Sequence, residues 1–383
     1  QLSVPLLRAV AEQGYDVPTP IQVAAIPAIL RGQDVWASAQ TGSGKTAAFA
    51  LPMLQRLAAS RRSAGRFVRA LVLVPTRELA VQVGEACRRY GRFLASPLKT
   101  LVVYGGVSIN PQMLALGGGA DLIVATPGRL LDLMAHNAVS LEHTGLVVLD
   151  EADRLLALGF AEELQRIVAA LPARRQTLLF SATFPPEVEA LARGLLRDPV
   201  RVEVAIQPAT APDIRQRAIE VDTPRRTQLL RHLIATEGWS RVLVFVATKY
   251  ATEHVADKLR RAGLRADALH GDLSQGGRLG ALADFKAGKT QVLIATDVAA
   301  RGLDIVDLPV VVNFDLPRSP ADYTHRIGRT GRAGGSGVAV SFISAETHAH
   351  FRLIEKRHRL ALPRELIAGF EPEQLQVPAP AVG

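Results

Sequence analysis

The chain has 383 residues, 48% hydrophobic and 21% charged, with a net charge of +9 and one cysteine, Cys87. This balance excludes a disordered polyelectrolyte and allows about two or three domains with developed cores. A lone cysteine excludes an internal disulfide framework and a cysteine-based zinc site. No apolar run reaches the ~18 residues of a membrane span, and the basic excess favours a polyanionic partner.

The opening QLSVPLLRAVAEQG has the spacing of an amphipathic helix and lacks the build of a secretory leader. A chain starting at Gln1 is expected to be part of a longer one. Next, DVWAS (34–38) reads as a strand leading through AQTGSGKT (39–46) into a helix. This core departs from the strict phosphate-loop pattern only at Ala39, where Gly is usual. Gly42 and Gly44, alternating with Thr41 and Ser43, let backbone N–H groups converge on phosphate oxygens. Lys45 suits the β- and γ-phosphates of a nucleoside triphosphate, and the Thr46 hydroxyl suits Mg²⁺. The helix that follows aims its positive end at the same place.

Strand-then-helix patterns continue through LVLVPTREL (71–79) and LIVATPGRLLDL (122–133) to TGLVVLDEADRLLALGF (144–160). There a buried-strand run, Leu146 to Leu149, ends in Asp150, Glu151 and Asp153. Such acids suit the first turn of a solvated helix. They equally suit the C-terminal edge of a parallel sheet, where open α/β folds bind ligands. The phosphate loop favours the second: Asp150 is placed to hold Mg²⁺ and Glu151 to polarise an attacking water.

Two segments recur. LVLVPTREL is echoed by VLVFVATKY (242–250), and LIVATPGRLLDL by VLIATDVAARGLD (292–304). Thr76 and Thr248 lie 172 positions apart, and Thr126 and Thr296 lie 170 apart. Two matches in one order at nearly one offset predict two copies of one α/β fold. Pro199, Pro208 and Pro212 mark the boundary. The expected division is 1–205 for the first domain, 206–216 for a linker, 217–360 for the second domain and 361–383 for a tail. At 214–220 the second copy shows no glycine loop, so it is not expected to bind a triphosphate alone. It offers YTHRIGRTGRAGG (323–335), with Arg326, Arg329 and Arg332 at three-residue steps, suited to charge developing on a γ-phosphate.

Taken together, these segments resemble the DEAD-box family of ATP-dependent RNA helicases over roughly residues 1–345. PTPIQ (18–22) is similar to the Q motif, AQTGSGKT to motif I, PTREL (75–79) to Ia, and Gly105-Gly106 to the GG element. TPGR (126–129), DEAD (150–153) and SAT (181–183) match motifs Ib, II and III. VFV (244–246), HGDLSQGGR (270–278), ATDVAARGLDI (295–305) and HRIGRTGR (325–332) match IV, IVa, V and VI. GGVSINPQM (105–113) and LLRAVAEQGY (6–15) are similar to the bacterial RhlE-like branch.

The resemblance implies two tandem RecA-like domains, each a mostly parallel sheet flanked by helices, with ATP and Mg²⁺ bound between them. It gives Gln22 the adenine edge, Asp304 the ribose, and Arg329 and Arg332 the role of arginine fingers. Asp153, Ser181, Thr183, Arg301, His325 and Arg326 become interdomain coupling residues. Arg77, Gly106, Thr126, Arg129, Arg278 and Thr296 become contacts to the RNA backbone, a chemistry without base information. An aromatic that the family carries upstream of the Q motif falls before Gln1, and Leu155 stands where Met is frequent.

The implied protein is a cytoplasmic, bacterial, monomeric RNA-stimulated ATPase that binds RNA with little sequence preference and separates short duplexes without translocating. Its expected partners are ribosome-assembly or RNA-decay proteins, with no membrane. An ATP-gated RNA clamp and a DNA translocase use the same core and are the alternatives.

Overall fold

The computed structural model describes residues 1–38, 43–60, 65–203, 214–300, 305, 308–331 and 336–373. It divides into two compact units, Gln1–Ile206 and Gln207–Gly383.

The first unit opens with α1 (Val4–Glu12) and α2 (Pro20–Leu30), then alternates strands and helices. β1 (Val35–Ser38) leads to α3 (Lys45–Ala59), β2 (Val68–Leu73) to α4 (Arg77–Tyr90), and β3 (Thr100–Val103) to α5 (Asn110–Leu116). β4 (Ala120–Ala125) precedes α6 (Pro127–Ala135), and β5 (Leu146–Leu149) precedes α7 (Ala152–Ala157) and α8 (Ala161–Ala169). β6 (Gln176–Ser181), α9 (Pro186–Leu195) and β7 (Val200–Glu203) finish it.

In the second unit, β8 (Ile214–Glu220) is followed by α10 (Arg226–Thr236), β9 (Val242–Val246) and α11 (Lys249–Arg261). Next come β10 (Ala266–Leu269), α12 (Gln275–Lys286), β11 (Val292–Thr296) and α13 (Asp297–Ala300). The last are β12 (Val310–Asn313), α14 (Pro320–Ile327), β13 (Gly337–Ile343), α15 (His348–His358) and β14 (Arg364–Glu365).

Val, Leu and Ile runs bounded by helices form parallel strands buried on both faces. Alternate residues serve opposite cores. Val72, Val124, Val148 and Phe180 pack with α2, α3 and α4, while Leu73, Ala125, Leu149 and Leu179 pack with the helices from α6 to α9. Fully burying each large side chain contributes about 1.5–3 kcal/mol. Cys87 lies in the first of these cores, and burial pushes its thiol up to about 12.

Each sheet has seven strands, in the orders β3-β4-β2-β5-β6-β1-β7 and β10-β11-β9-β12-β13-β8-β14. Adding seven to each strand of the first gives the second, so the internal repeat is one topology used twice. Thr76 and Thr248 even serve as equivalent caps, accepting the N–H groups of Leu79 and Ala251.

Three expectations shift. β8 begins at Ile214, so residues 214–216 belong to the second sheet, not to a linker, because all of Ile214–Glu220 pairs with β13. That strand is the counterpart of β1, which moves the counterpart of the phosphate loop to residues 221–225, VDTPR, still without glycine. The expected tail also packs through residue 370. β14 pairs with β8, Arg217 holds the Glu365 carboxylate at 2.6 Å, and Ile367 and Phe370 lie on the core.

Arg326, one of the expected coupling residues, is buried within the second unit and braces it. Its Nε and Nη2 donate to the two oxygens of Asp297, each at 2.6 Å. Its Nη1 donates to Asn313 Oδ1 at 3.0 Å and to the Asp315 carbonyl at 2.6 Å. The guanidinium also lies 4.9 Å from the Phe245 ring centroid, so one side chain ties the ends of β9, β11 and β12 together. Arg326→Ala leaves Asp297 unpaired and is expected to cost about 2–4 kcal/mol. Calorimetry of the ligand-free protein should show a fall of several degrees in the transition of the second unit; an unchanged transition would overturn the brace.

Candidate active site

Every strand of the first sheet runs the same way, so the loops after β1, β5 and β6 leave one edge together. The loop after β1 carries the phosphate-loop residues. Of these, Thr41 and Gly42 lie outside the described residues, while Ser43, Gly44, Lys45 and Thr46 open α3. Gly44 adopts φ +90°, and a Cβ there would stand 2.6 Å from Gln22 Nε2 and 2.8 Å from Thr19 Oγ1. Only glycine fits that approach. Gln22 Nε2 donates to the Gly44 carbonyl at 3.2 Å, and its Oε1 accepts the Thr19 N–H at 3.0 Å. The expected adenine reader is thus also half of a capping box and a tether for the phosphate loop. One amide hydrogen and one lone pair are left over.

Lys45 is 6% exposed, and its Nζ is buried without a hydrogen bond among the described residues. Asp150 is 3% exposed. Burial pushes its carboxyl up to about 6; Lys45 opposes the shift, and Glu151 and Asp153 reinforce it. An unsatisfied buried ammonium and a carboxylate that resists ionisation are what a polyphosphate with a divalent cation would relieve. The donor set fits Mg²⁺, which takes one or two protein oxygens and leaves the rest to phosphates and water. Asp150 and the Thr46 hydroxyl would supply those oxygens.

Glu151 sits at φ 52°, ψ 52°, a left-handed conformation costing on the order of 1–2 kcal/mol in a non-glycine residue. Its carboxylate is buried and ion-paired with Arg154, one helical turn on. Sequence reasoning missed Arg154, although its three-residue spacing from Glu151 was the available signal. Asp153 closes a network with motif III. Its N–H donates to Ser181 Oγ at 3.1 Å, its Oδ2 accepts the Thr183 hydroxyl at 2.7 Å and N–H at 3.1 Å, and Ser181 Oγ donates to the Thr183 carbonyl at 2.7 Å.

The other half of the same edge gathers the four expected backbone contacts. Gly106 has φ +79°, and a Cβ would meet the Arg77 guanidinium at 2.1 Å, so the two residues lie face to face. Thr126 occupies the N-cap position of α6 without a capping bond from its side chain. Arg129, on the first turn of that helix, donates from Nη2 to the Val107 carbonyl at 2.8 Å. Its Nε and Nη1 are buried without a hydrogen bond among the described residues.

In the second unit, Thr296 ends β11 and accepts the Ala299 N–H at 3.3 Å. Arg278 lies on the first turn of α12, His325 is exposed on α14, and Arg329 is 9% exposed just beyond it. Arg301, Asp304 and Arg332 lie outside the described residues.

The family model for DEAD/DEAH box helicases matches residues 19–191, and that for the helicase conserved C-terminal domain matches 225–334. The ATP-dependent RNA helicase DeaD of Mycobacterium tuberculosis is 44% identical over 94% of this chain, which spans 63% of that relative's length. The DEAD-box ATP-dependent RNA helicase CshA of Geobacillus kaustophilus is 41% identical over 95% of this chain and 76% of its own. Among solved structures, S. cerevisiae Dbp5 bound to RNA and ADP BeF3 aligns with a TM-score of 0.83 and 33% identity, covering 95% of this chain and 94% of its own. A DEAD box protein from Methanococcus jannaschii aligns with a TM-score of 0.54 and 38% identity, covering 95% and 97%. Each unit has the RecA-like architecture of these proteins. The matches span most of both units, and the chain belongs to the DEAD/DEAH box helicase family.

Proposed function

We propose that the chain is an ATP-dependent RNA helicase that couples ATP binding and hydrolysis to RNA binding and to local, non-processive separation of short duplexes. The observation that carries this is the division of one sheet edge. A buried Lys45–Asp150 pair suited to a nucleotide occupies one half, and the Arg77, Gly106, Thr126 and Arg129 group suited to a sugar-phosphate backbone occupies the other.

In this mechanism the remaining donor and acceptor of Gln22 meet the adenine edge, and Lys45 meets the phosphates. Thr46 and Asp150 would hold Mg²⁺, which when bound withdraws charge from the phosphate oxygens. Glu151 takes up the proton of the attacking water. Arg329 and Arg332 stabilise the developing phosphate charge, with Asp304 at the ribose. Asp153, Ser181 and Thr183, with Arg301 and His325, transmit phosphate state to a closing of the two units. Arg278 and Thr296 extend the RNA contact. Each ligand then favours the closed state and raises affinity for the other.

The phrases 105–113 and 6–15 support placement near the RhlE-like branch, whereas the relatives reported above are named DeaD and CshA. A monomer in the bacterial cytoplasm, working with ribosome-assembly or RNA-decay proteins, completes the proposal. No helix among the described residues is long and apolar enough to cross a membrane.

Hydrolysis assayed with no nucleic acid, with single-stranded RNA and with matched DNA should be stimulated by RNA alone. Glu151→Gln should lower the rate by at least about 100-fold while ATP still binds. A duplex of about ten RNA base pairs should separate. Stimulation without separation would identify a clamp, and equal stimulation by DNA would refute the RNA assignment.

Asp150 makes a second prediction. Its folded-state value lies above the ordinary 3.8, so the folded protein binds the extra proton between about pH 4 and 6. Stability therefore falls as pH rises through that window, and the penalty persists above it. Asp150→Asn should raise the ligand-free melting temperature by a few degrees at pH 8 and by nothing near pH 4. Hydrolysis is lost in the same variant. Equal melting at both pH values would contradict the electrostatic account of the site.

A further inference from the structure

The fully buried strand β9 ends in four exposed residues, Ala247, Thr248, Lys249 and Tyr250. Tyr250 is 77% exposed, the most exposed tyrosine of the chain. It is not loose. Its ring stacks on that of His254, one turn along α11, with centroids 5.6 Å apart and planes within 15°. An exposed aromatic usually folds down onto apolar neighbours to leave water. Here the ring lies nearly parallel to a second ring and stays largely open to solvent.

Its surroundings are those of the RNA contacts proposed for this unit. β9 lies beside β11 in register, with Val246 opposite Thr296, so Tyr250 and Thr296 leave the same edge on neighbouring strands. Lys249 joins the loop that leads to Arg278. Its Cε lies 3.8 Å from the Cβ position of Gly271, and its Nζ pairs with Asp272 at 2.5 Å. That ion pair is exposed on both sides, so a phosphate can displace the carboxylate at small cost.

We infer that Tyr250, backed by His254, is a stacking platform for a nucleobase of the bound strand. This rests on the proposed RNA-binding function and adds to it: the other candidate contacts are hydroxyls, amides and guanidinium groups that grip phosphate and sugar, whereas Tyr250 takes a base. Every base has a π-face, so the platform adds affinity with little sequence preference. Its cost is low because the His254 stack already orders the ring.

The test measures Kd for a fluorescent 12-nucleotide single-stranded RNA at several salt concentrations, with wild type, Tyr250→Ala, Tyr250→Phe and His254→Ala. Matched far-UV spectra and melting temperatures establish that the variants fold. Tyr250→Ala should weaken binding at least about 5-fold, Tyr250→Phe should bind like wild type, and His254→Ala should fall between. The slope of log Kd against log salt should stay unchanged in Tyr250→Ala, because no phosphate contact is lost. A strand of the same length with abasic positions should bind wild type and Tyr250→Ala equally. Affinity within 2-fold for wild type and Tyr250→Ala overturns the platform while leaving RNA binding standing. An equal loss on abasic RNA overturns it in favour of a sugar-phosphate contact. Failure of wild type to bind RNA at all refutes the underlying function instead.

Discussion

A parallel strand cannot be turned straight back on itself, and from that constraint the rest of the molecule follows. Each return must cross a face of the sheet as a helix, so both faces are covered and the strands become the most apolar part of the chain. All loops at the C-terminal edge then lie side by side. In the first unit this places the phosphate loop, the acids after β5 and the hydroxyls after β6 along one half, and the basic and glycine residues after β2, β3 and β4 along the other. The acidic and the basic candidate groups share one row of loops because one strand direction permits it.

The nucleotide half carries unfavourable electrostatics in the ligand-free chain. Lys45 has a buried ammonium without a hydrogen bond among the described residues, Asp150 resists ionisation, and Glu151 holds a strained backbone. Cores elsewhere in the unit supply the stability that tolerates this. The network of Asp153, Ser181 and Thr183 links the same acids to the neighbouring strand. The acids after β5 are therefore tied by short hydrogen bonds to the end of β6. The Glu151–Arg154 ion pair adds a basic partner to the same group of acids.

Much of this was legible before the fold. Apolar runs, the GKT turn, the acids closing a strand and the offset between repeats are local signals, and local signals survive in a sequence. The repeat even carried its caps, since Thr76 and Thr248 do the same work. What escaped was long-range or shared. Arg326 reads as one more motif arginine, and only the fold shows Asp297, Asn313 and Asp315 converging on it. Residues 361–373 show too little periodicity to predict packing, because their anchor is Arg217, more than 140 positions earlier. Gln22 hid its capping and tethering role, since an amide suited to a ligand edge and one that caps a helix look alike in a sequence. Arg154 was readable and overlooked.

The solitary thiol has a practical meaning for watching this protein move. Cys87 is buried in the first unit, and burial keeps it protonated at the pH where maleimide dyes react. The native chain is therefore close to silent toward such reagents without any cysteine being removed. One cysteine introduced on the surface of each unit would carry the donor and acceptor of an energy-transfer pair against almost no background. The distance between the units, with and without nucleotide and RNA, then becomes directly observable in the otherwise unaltered chain.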